Sequence, residues 1–308
     1  MDVLTDVLEA IHFKSVVHGR LELTAPWGFQ LDFGQPGFYV VTRGSCWLAV
    51  DGENEPIQLA GGDFVLLPKG QAHVVLDSPQ TKAVPISEVL GPADGADGDC
   101  KTCGVLHHGG GGALTVLVGG CFQFDGARNP LLDSLPPVIH VKGDRDSTVR
   151  WFETTLQFVA CEMAAERPGS QTVVSRLADI LFVQAVRAYL AQSGAEAKGW
   201  LSALEDPHIG AALSLIHEKP EEAWTVETLA ARVAMSRSAF AARFMQLVEE
   251  PPLTYLTRWR MDKARRLLRA GSASVGEIAA RVGYDAEAAF SKAFKRWVGV
   301  PPGAYRRA

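Results

Sequence analysis

The hydrophobic and polar positions of this chain change period partway along. Up to about Asp77 the apolar residues come in short β-prone runs, at residues 20–24, 38–42, 45–50 and 64–67. Turns are expected between them at Arg43-Gly44, Asp51-Gly52 and Gly61-Gly62. Short strands so punctuated indicate a β-barrel or sandwich. A short amphipathic helix over residues 5–11 precedes them. Residues 114–118 and 121–125 read as strands returning to the barrel, and residues 131–141 as a final strand. Spacing then becomes helical. Trp151, Leu156, Val159 and Met163 mark one face, and Val173/Val174, Leu177, Leu181, Gln184/Ala185 and Ala188 mark the next. Apolar stripes on consecutive helices either pack within the chain or form a dimer seam.

The remainder is helical and says one thing twice. Thr-Val-Glu-Thr-Leu-Ala-Ala-Arg-Val at 225–233 is echoed by Ser-Val-Gly-Glu-Ile-Ala-Ala-Arg-Val at 274–282. Each copy is followed by a short break, then a polar cap, Ser236 or Asp285, and then a phenylalanine pair, Phe240/Phe244 or Phe290/Phe294. Each closes on Pro-Pro-x-x-Tyr, at 251–255 and 301–305. One residue of slip lies between cap and first phenylalanine. Repetition of caps, core spacing and terminator together marks an internal duplication. The repeated unit is a helix, a tight turn and a second helix, with Thr225 and Ser274 as N-caps and Gly283 suited to a left-handed helix end. Such a unit lays its second helix in the major groove of DNA, and two of them would enter successive grooves roughly 34 Å apart.

These paired units, the Pro-Pro-x-x-Tyr endings and the Ala-Phe-Ser-Lys-Ala-Phe-Lys run at 289–295 resemble the arabinose-regulator (AraC/XylS) family of bacterial transcription regulators. The resemblance implies a DNA-binding domain of seven helices over residues 207–307, dimerisation and contact with RNA polymerase. The N-terminal part is similar to cupin-type sensor domains. Gly62, Asp63, a strand, Pro68-Lys69-Gly70 and His73 resemble the second signature of the cupin barrel. In metal-dependent cupins that histidine joins two histidines and a glutamate of an earlier signature. Here the matching region is residues 39–43, without those ligands, so His73 alone cannot hold a catalytic metal.

The fold class expected is therefore α+β in two domains: an N-terminal cupin-like β-barrel followed by helices, and a C-terminal all-α double helix-turn-helix (HTH). The boundaries are 1–148 for the sensor, 149–192 for a helical dimerisation or interdomain segment, 193–206 for a linker and 207–308 for the DNA-binding domain. The two HTH units span 225–247 and 274–297. Charge supports the division. The formal net charge of −5 hides 14 Lys and Arg against 24 Asp and Glu up to Glu205, and 16 against 11 from Asp206 on. A basic end on an acidic body suits a phosphate-contacting domain attached to a sensor. No apolar run reaches the roughly 18 residues of a membrane span, and the N-terminus lacks the basic start of a signal peptide, so a cytoplasmic location is expected.

With the phenylalanines inward, a 100° step turns Ser238, Ala241, Ala242 and Met245 outward on the first reading helix. On the second it turns out Ala288, Ser291, Lys292 and Lys295, with Glu287 at the flank. Arg237 and Arg243 flank the first face and suit phosphates. Family members often carry a long polar side chain where Ala242 stands. Alanine cannot make the bidentate bonds that read purines, so Lys292 is expected to discriminate bases more than any residue of the first unit. Trp259 and Met261 read as core; Arg265, Arg266 and Arg269 as backbone contacts or solvated surface.

In the sensor, His73, Tyr39 and Trp47 are the candidates for binding a small-molecule effector. Cys100-x-x-Cys103 with His107 and His108 has the chemistry of a tetrahedral zinc site or a thiol switch, and equally of a plain loop. Cys46, Cys121 and Cys161 read as buried packing residues. The function expected is a sequence-specific DNA-binding regulator that senses a small molecule, metal or oxidant, and no enzyme. A thiol- or zinc-based redox sensor and a cupin enzyme fused to a DNA-binding tail are the alternatives.

Overall fold

The computed structural model describes residues 3–10, 13–32, 34–90, 104–124, 130–143, 150–165, 167–193 and 200–307. The chain divides into two compact units, Phe13–Gly194 and Met1–His12 with Ala195–Ala308. The first element, α1 (Val3–Ala10), belongs to the second unit.

The β-rich unit begins with β1 (Phe13–Thr24), β2 (Gly28–Leu31), β3 (Gly37–Arg43) and β4 (Ser45–Val50). It continues through β5 (Ile57–Ala60), β6 (Phe64–Leu67), β7 (His73–Leu76), β8 (Val84–Pro85) and the short α2 (Ile86–Leu90). After β9 (Gly104–Gly109) and β10 (Leu114–Phe124) come α3 (Pro130–Ser134) and β11 (Ile139–Val141). The strands form two sheets, ordered β11-β6-β3-β10-β1-β9 and β5-β4-β7-β2-β8. The expected barrel is thus a two-sheet sandwich, each sheet ending in its own edge strands. Alternation along the strands sends Leu23, Tyr39, Val41, Val65, Leu67 and Leu117 of one sheet against Phe29, Leu48, Val50 and Val75 of the other. Residues 131–141 hold a helix before their strand, because only Ile139, His140 and Val141 pair with β6.

Helices α4 (Arg150–Ala165) and α5 (Ser170–Ser193) close this unit. The inner stripe of α5 packs on the outer face of the six-stranded sheet, where Phe182 meets Phe122 and Phe124 at 5.1 and 5.7 Å. Ser15 fixes the same contact by bonds to the Ser175 carbonyl and the Asp179 carboxylate. The opposite side of the pair leaves Phe158, Val173 and Ile180 exposed. Cys161 is exposed beside Phe158 rather than buried, since the core-facing position of α4 is taken by Val159. Cys46 and Cys121 are buried as expected.

In the other unit α6 (Trp200–Glu205) is followed by α7 (Pro207–Glu218), α8 (Val226–Arg232), α9 (Arg237–Val248), α10 (Pro252–Ala270), α11 (Val275–Arg281), α12 (Glu287–Val298) and α13 (Pro302–Tyr305). Seven helices therefore start at or after Pro207. Two boundaries differ from the sequence reading. The linker expected over 193–206 contains α6, because Trp200, Leu201 and Ala203 find buried places against α7 and α9. The first helix of the chain, assigned by sequence to the sensor, buries Val3, Leu4 and Val7 against α7 and α10 instead. Beneath it a polar group is enclosed: the Asp6 carboxylate lies 3.5 Å from His217, which stacks on Trp259 and shares a 2.8 Å hydrogen bond with the Tyr255 hydroxyl. Burial first, then Arg258 and Arg266, drives the His217 pKa down to about 3, so the ring is neutral at physiological pH. Among the described residues no helix is long and apolar enough to cross a membrane.

Candidate nucleic-acid interface and sensor site

The two HTH units fold locally for the same reasons. Thr225 and Ser274 each accept the N–H three residues on, and the side chains of Thr228 and Glu277 return the bond, closing two capping boxes. Both first helices end in the same long-range bond, Met235 N–H to Ala230 O and Tyr284 N–H to Ala279 O, each 2.9 Å. That ending requires a left-handed residue, which is Gly283 (φ 79°) in the second unit and Ala234 (φ 55°) in the first. A Cβ at 283 would also come within 2.8 Å of the Glu221 carbonyl oxygen, so glycine is needed there on two counts.

The second helices then begin at matching places. Ser236 caps α9 with its hydroxyl, whereas the N-cap of α12 is Ala286 and not Asp285. Phe240 N–H bonds Ser236 O and Phe290 N–H bonds Ala286 O, so both phenylalanines stand four residues after the cap. The slip expected from sequence is taken up in the turn, which is one residue longer in the second copy. Inside, Phe240, Phe244 and Tyr255 repeat as Phe290, Phe294 and Tyr305. Phe–Phe centroids are 5.6 Å apart in both copies, with the tyrosine edge-on at 5.8 and 5.6 Å. All four phenylalanines are fully buried.

That anchoring fixes what faces out. Arg237, Ser238, Ala242, Arg243 and Met245 are exposed on α9, with Ala241 half-buried; Glu287, Ala288, Lys292 and Lys295 are exposed on α12, with Ser291 half-buried. The cations differ in how they are held. Arg237 pairs with Glu227 at 2.8 Å. Arg243 gives Nε and Nη2 to the Asp206 carboxylate at 3.0 and 2.9 Å, and a third bond to Gln246. Lys292 and Lys295 make no ion pair among the described residues. Sequence reasoning missed both arginine clasps; the partner of Arg243 lies 37 residues away, and nothing local points to it. Trp259 and Met261 are core as expected. Arg265 and Arg269 lie over the Tyr305 ring and Arg266 over Trp259, uses of guanidinium that the helix pattern did not suggest.

The sensor candidates are not brought together as a set. Tyr39 of β3 and His73 of β7 meet across the core, hydroxyl to Nε2 at 2.7 Å, and His73 Nδ1 lies 2.8 Å from Gln71 O. Burial raises the Tyr39 hydroxyl well above its ordinary range and lowers His73, so the pair is a neutral hydrogen bond inside the sandwich. Trp47 alternates with the core residues Cys46 and Leu48, which turns it away from both. Burial pushes the Cys46 thiol up to about 12, aided by Asp63, and leaves it unreactive. His107 and His108 occupy successive positions of β9 and therefore opposite faces: His107 reaches Glu22 at 3.3 Å, while His108 lies against Phe29. The two imidazoles cannot close one tetrahedral site together. Cys100 and Cys103 lie outside the described residues, among which no cluster of three or more metal-binding side chains occurs.

A two-sheet sandwich and a duplicated HTH, each reading helix clamped by a phenylalanine pair, define a two-domain DNA-binding class. Comparison with known proteins agrees. The Cupin family profile matches residues 2–191, and that of the Helix-turn-helix domain residues 229–308. A putative AraC-like transcription regulator of Streptomyces lividans is 39% identical, covering 100% of this chain and 98% of the relative. The HTH-type transcriptional regulator AlkR of Acinetobacter baylyi is 35% identical, over 100% and 99%. Among solved structures, the DNA-binding domain of AdpA in complex with a target DNA is 38% identical over 33% of this chain and 91% of that one, with a TM-score of 0.31. The chain belongs to the AraC family of DNA-binding transcription regulators, with a cupin domain at its N-terminal side.

Proposed function

We propose that this regulator reads its operator unequally with its two HTH units, and that α12 carries most of the base discrimination. The observation that supports this is the state of the cations. Lys292 and Lys295 stand on an exposed face with no ion-pair partner among the described residues, while Arg237 and Arg243 are engaged within the protein. Lysine can donate to guanine O6 and N7 in the major groove, whereas Ala241 and Ala242 offer only contact with thymine methyls. Ser238 and Ser291 add hydroxyls to the two faces. Arg237 and Arg243 serve phosphates, which orient the protein without specifying sequence.

The β unit acts as the sensor and holds an organic effector without turning it over. Differential affinity of that effector for two states of the protein becomes a change in promoter occupancy. The regulator works as a homodimer through the outer side of α4 and α5, where Phe158, Val173 and Ile180 are exposed, and it acts on transcription through RNA polymerase.

The test of unequal reading is binding of the full chain to its selected operator and to single-base variants of it. Lys292→Ala is expected to lose about 1–3 kcal/mol of discrimination at one base pair and to keep its preferences elsewhere. An unchanged preference at every position would refute it.

A further inference from the structure

Among the described residues, α5 covers the outer face of the six-stranded sheet at one end. Where β1 begins and β10 ends, α5 seals it through Phe182 and Asp179. At the other end Arg20 pairs with Val118 and Glu22 with Val116 across β1 and β10, and Val116 pairs with Arg43 of β3. Leu21, Leu23, Val41 and Leu117 go into the sandwich, so their neighbours Arg20, Glu22, Thr42, Val116 and Val118 face out. Together with Arg43 they line a half-open recess of about 430 Å³.

Its chemistry is uneven. Val116 and Val118 lie beneath the recess, almost fully buried, and Leu114, on the same face of β10, is its partly exposed apolar lining. Glu22 is already shared between Arg20 at 2.6 Å and His107 at 3.3 Å. Arg20 Nε is enclosed without a hydrogen-bond partner, and the exposed side chain of Arg43 makes no hydrogen bond or ion pair among the described residues. Two guanidiniums against one carboxylate leave one positive charge beside an apolar surface, on rigid strands rather than loops.

We propose that this recess binds a small organic carboxylate. Arg43 takes the carboxylate beside Arg20, and the apolar body lies against Leu114. A single negative charge balances the surplus cation, whereas a phosphate dianion would face Glu22; a planar guanidinium also suits a carboxylate. The volume lies within the range of small-molecule sites. The proposal deepens the sensor reading and rests on it. It places the effector on the outer face, not between the sheets, where Tyr39 and His73 already satisfy each other.

Calorimetric titration of the full chain tests it, using benzoate, hexanoate and cyclohexanecarboxylate, with benzyl alcohol as an uncharged counterpart of benzoate. At least one carboxylate is expected to bind and the alcohol not. Arg43→Met should weaken that binding by about 10–100-fold while DNA affinity without ligand stays unchanged. Arg20→Met should act in the same direction, which guards against a single misfolded variant. Binding of none of the carboxylates overturns the proposal, as does equal binding to wild type and Arg43→Met. The sensor reading fails separately. If a carboxylate binds through Arg43 but leaves DNA affinity unaltered, the recess stands and sensing through it falls. If a neutral compound shifts DNA affinity alike in wild type and Arg43→Met, sensing stands and the recess falls.

Discussion

Arg243 is asked to do two things, and Asp206 is the place to separate them. Asp206 caps α7, its Oδ1 accepting the His208 and Ile209 N–H groups at 3.0 and 2.9 Å, while its Oδ2 takes Arg243 of the first reading helix. Removing the whole group by Asp206→Ala loses a cap, about 1 kcal/mol, and a half-exposed ion pair, about 0.2–1 kcal/mol. Asp206→Asn keeps a carbonyl oxygen for the cap and loses only the charge, so roughly 1 kcal/mol or less is expected. Burial works to raise the Asp206 carboxyl, but the bonds from Ile209, Arg243 and His208 outweigh it and hold it below the ordinary carboxylate range. The group's stabilisation is then fully present above about pH 4 and drains away as pH falls through the depressed folded value. The stability gap between wild type and Asp206→Asn should be open at pH 7 and close at strongly acid pH, measured by urea denaturation followed through tryptophan emission.

DNA binding reads the second job. If Arg243 leaves Asp206 for a phosphate, Arg243→Ala should reduce the slope of log affinity against log salt by about 0.9 and weaken all sequences alike. Asp206→Asn, which releases the guanidinium, should then strengthen binding by up to about fivefold. An unchanged salt slope in Arg243→Ala would refute the phosphate role and leave Arg243 as a strut between α7 and α9. Loss of affinity in Asp206→Asn would show instead that the carboxylate positions the arginine.

Two further outcomes follow from packing. Val7→Asp puts a charge under α1, so it should destabilise the DNA-binding unit by at least about 2 kcal/mol in the same denaturation assay; no effect would mean that α1 is not part of that unit in solution. Phe158 is 61% exposed, and Phe158→Lys should raise the dimer dissociation constant at least about tenfold in sedimentation velocity. A wild-type chain already monomeric at micromolar concentration removes the dimer reading.

The DNA-binding unit was legible because its signals are local and stated twice. Cap, helix spacing, left-handed ending and phenylalanine pair all lie within a few residues of each other, and each copy checks the other. The strands were legible from alternation, though their gathering into two sheets was not, since pairing joins residues as distant as Phe13 and Phe124. What failed was addresses. The stripe of Val3, Leu4 and Val7 announces an amphipathic helix but not which core receives it. The apolar run around Trp200 sits behind a Gly-rich stretch that reads as linker. Cys161 lies in an apolar pattern whose two sides are unequal, one on the sandwich and one bare. The candidate sensor residues fared worst, because alternation had to be followed on every strand at once: it joins Tyr39 to His73, excludes Trp47 and separates His107 from His108. Arg20 and Arg43 were passed over because each is unremarkable until three strands bring them to one recess.

The duplication explains why the reading faces should be unequal rather than merely different. Arg237 and Glu287 hold the same first helical position after the cap. Glu227 and Gly276 hold the same position in the preceding helix. In the first unit this gives an exposed ion pair, Glu227 with Arg237, which neutralises charge at the entrance of α9. In the second it gives an acid at the start of α12 with no side chain opposite, and a Cβ at 276 would stand 3.1 Å from that carboxylate. A negative charge suits a helix N-terminus but not a phosphate beside it. On the proposed reading, Glu287 holds the start of α12 away from the phosphate backbone and favours approach through Lys292 and Lys295, about one and a half and two turns further along the helix. The proposed division, affinity from the shape and phosphate contacts of α9 and discrimination from α12, then follows from one scaffold whose first entrance is neutralised by an ion pair and whose second keeps its acid.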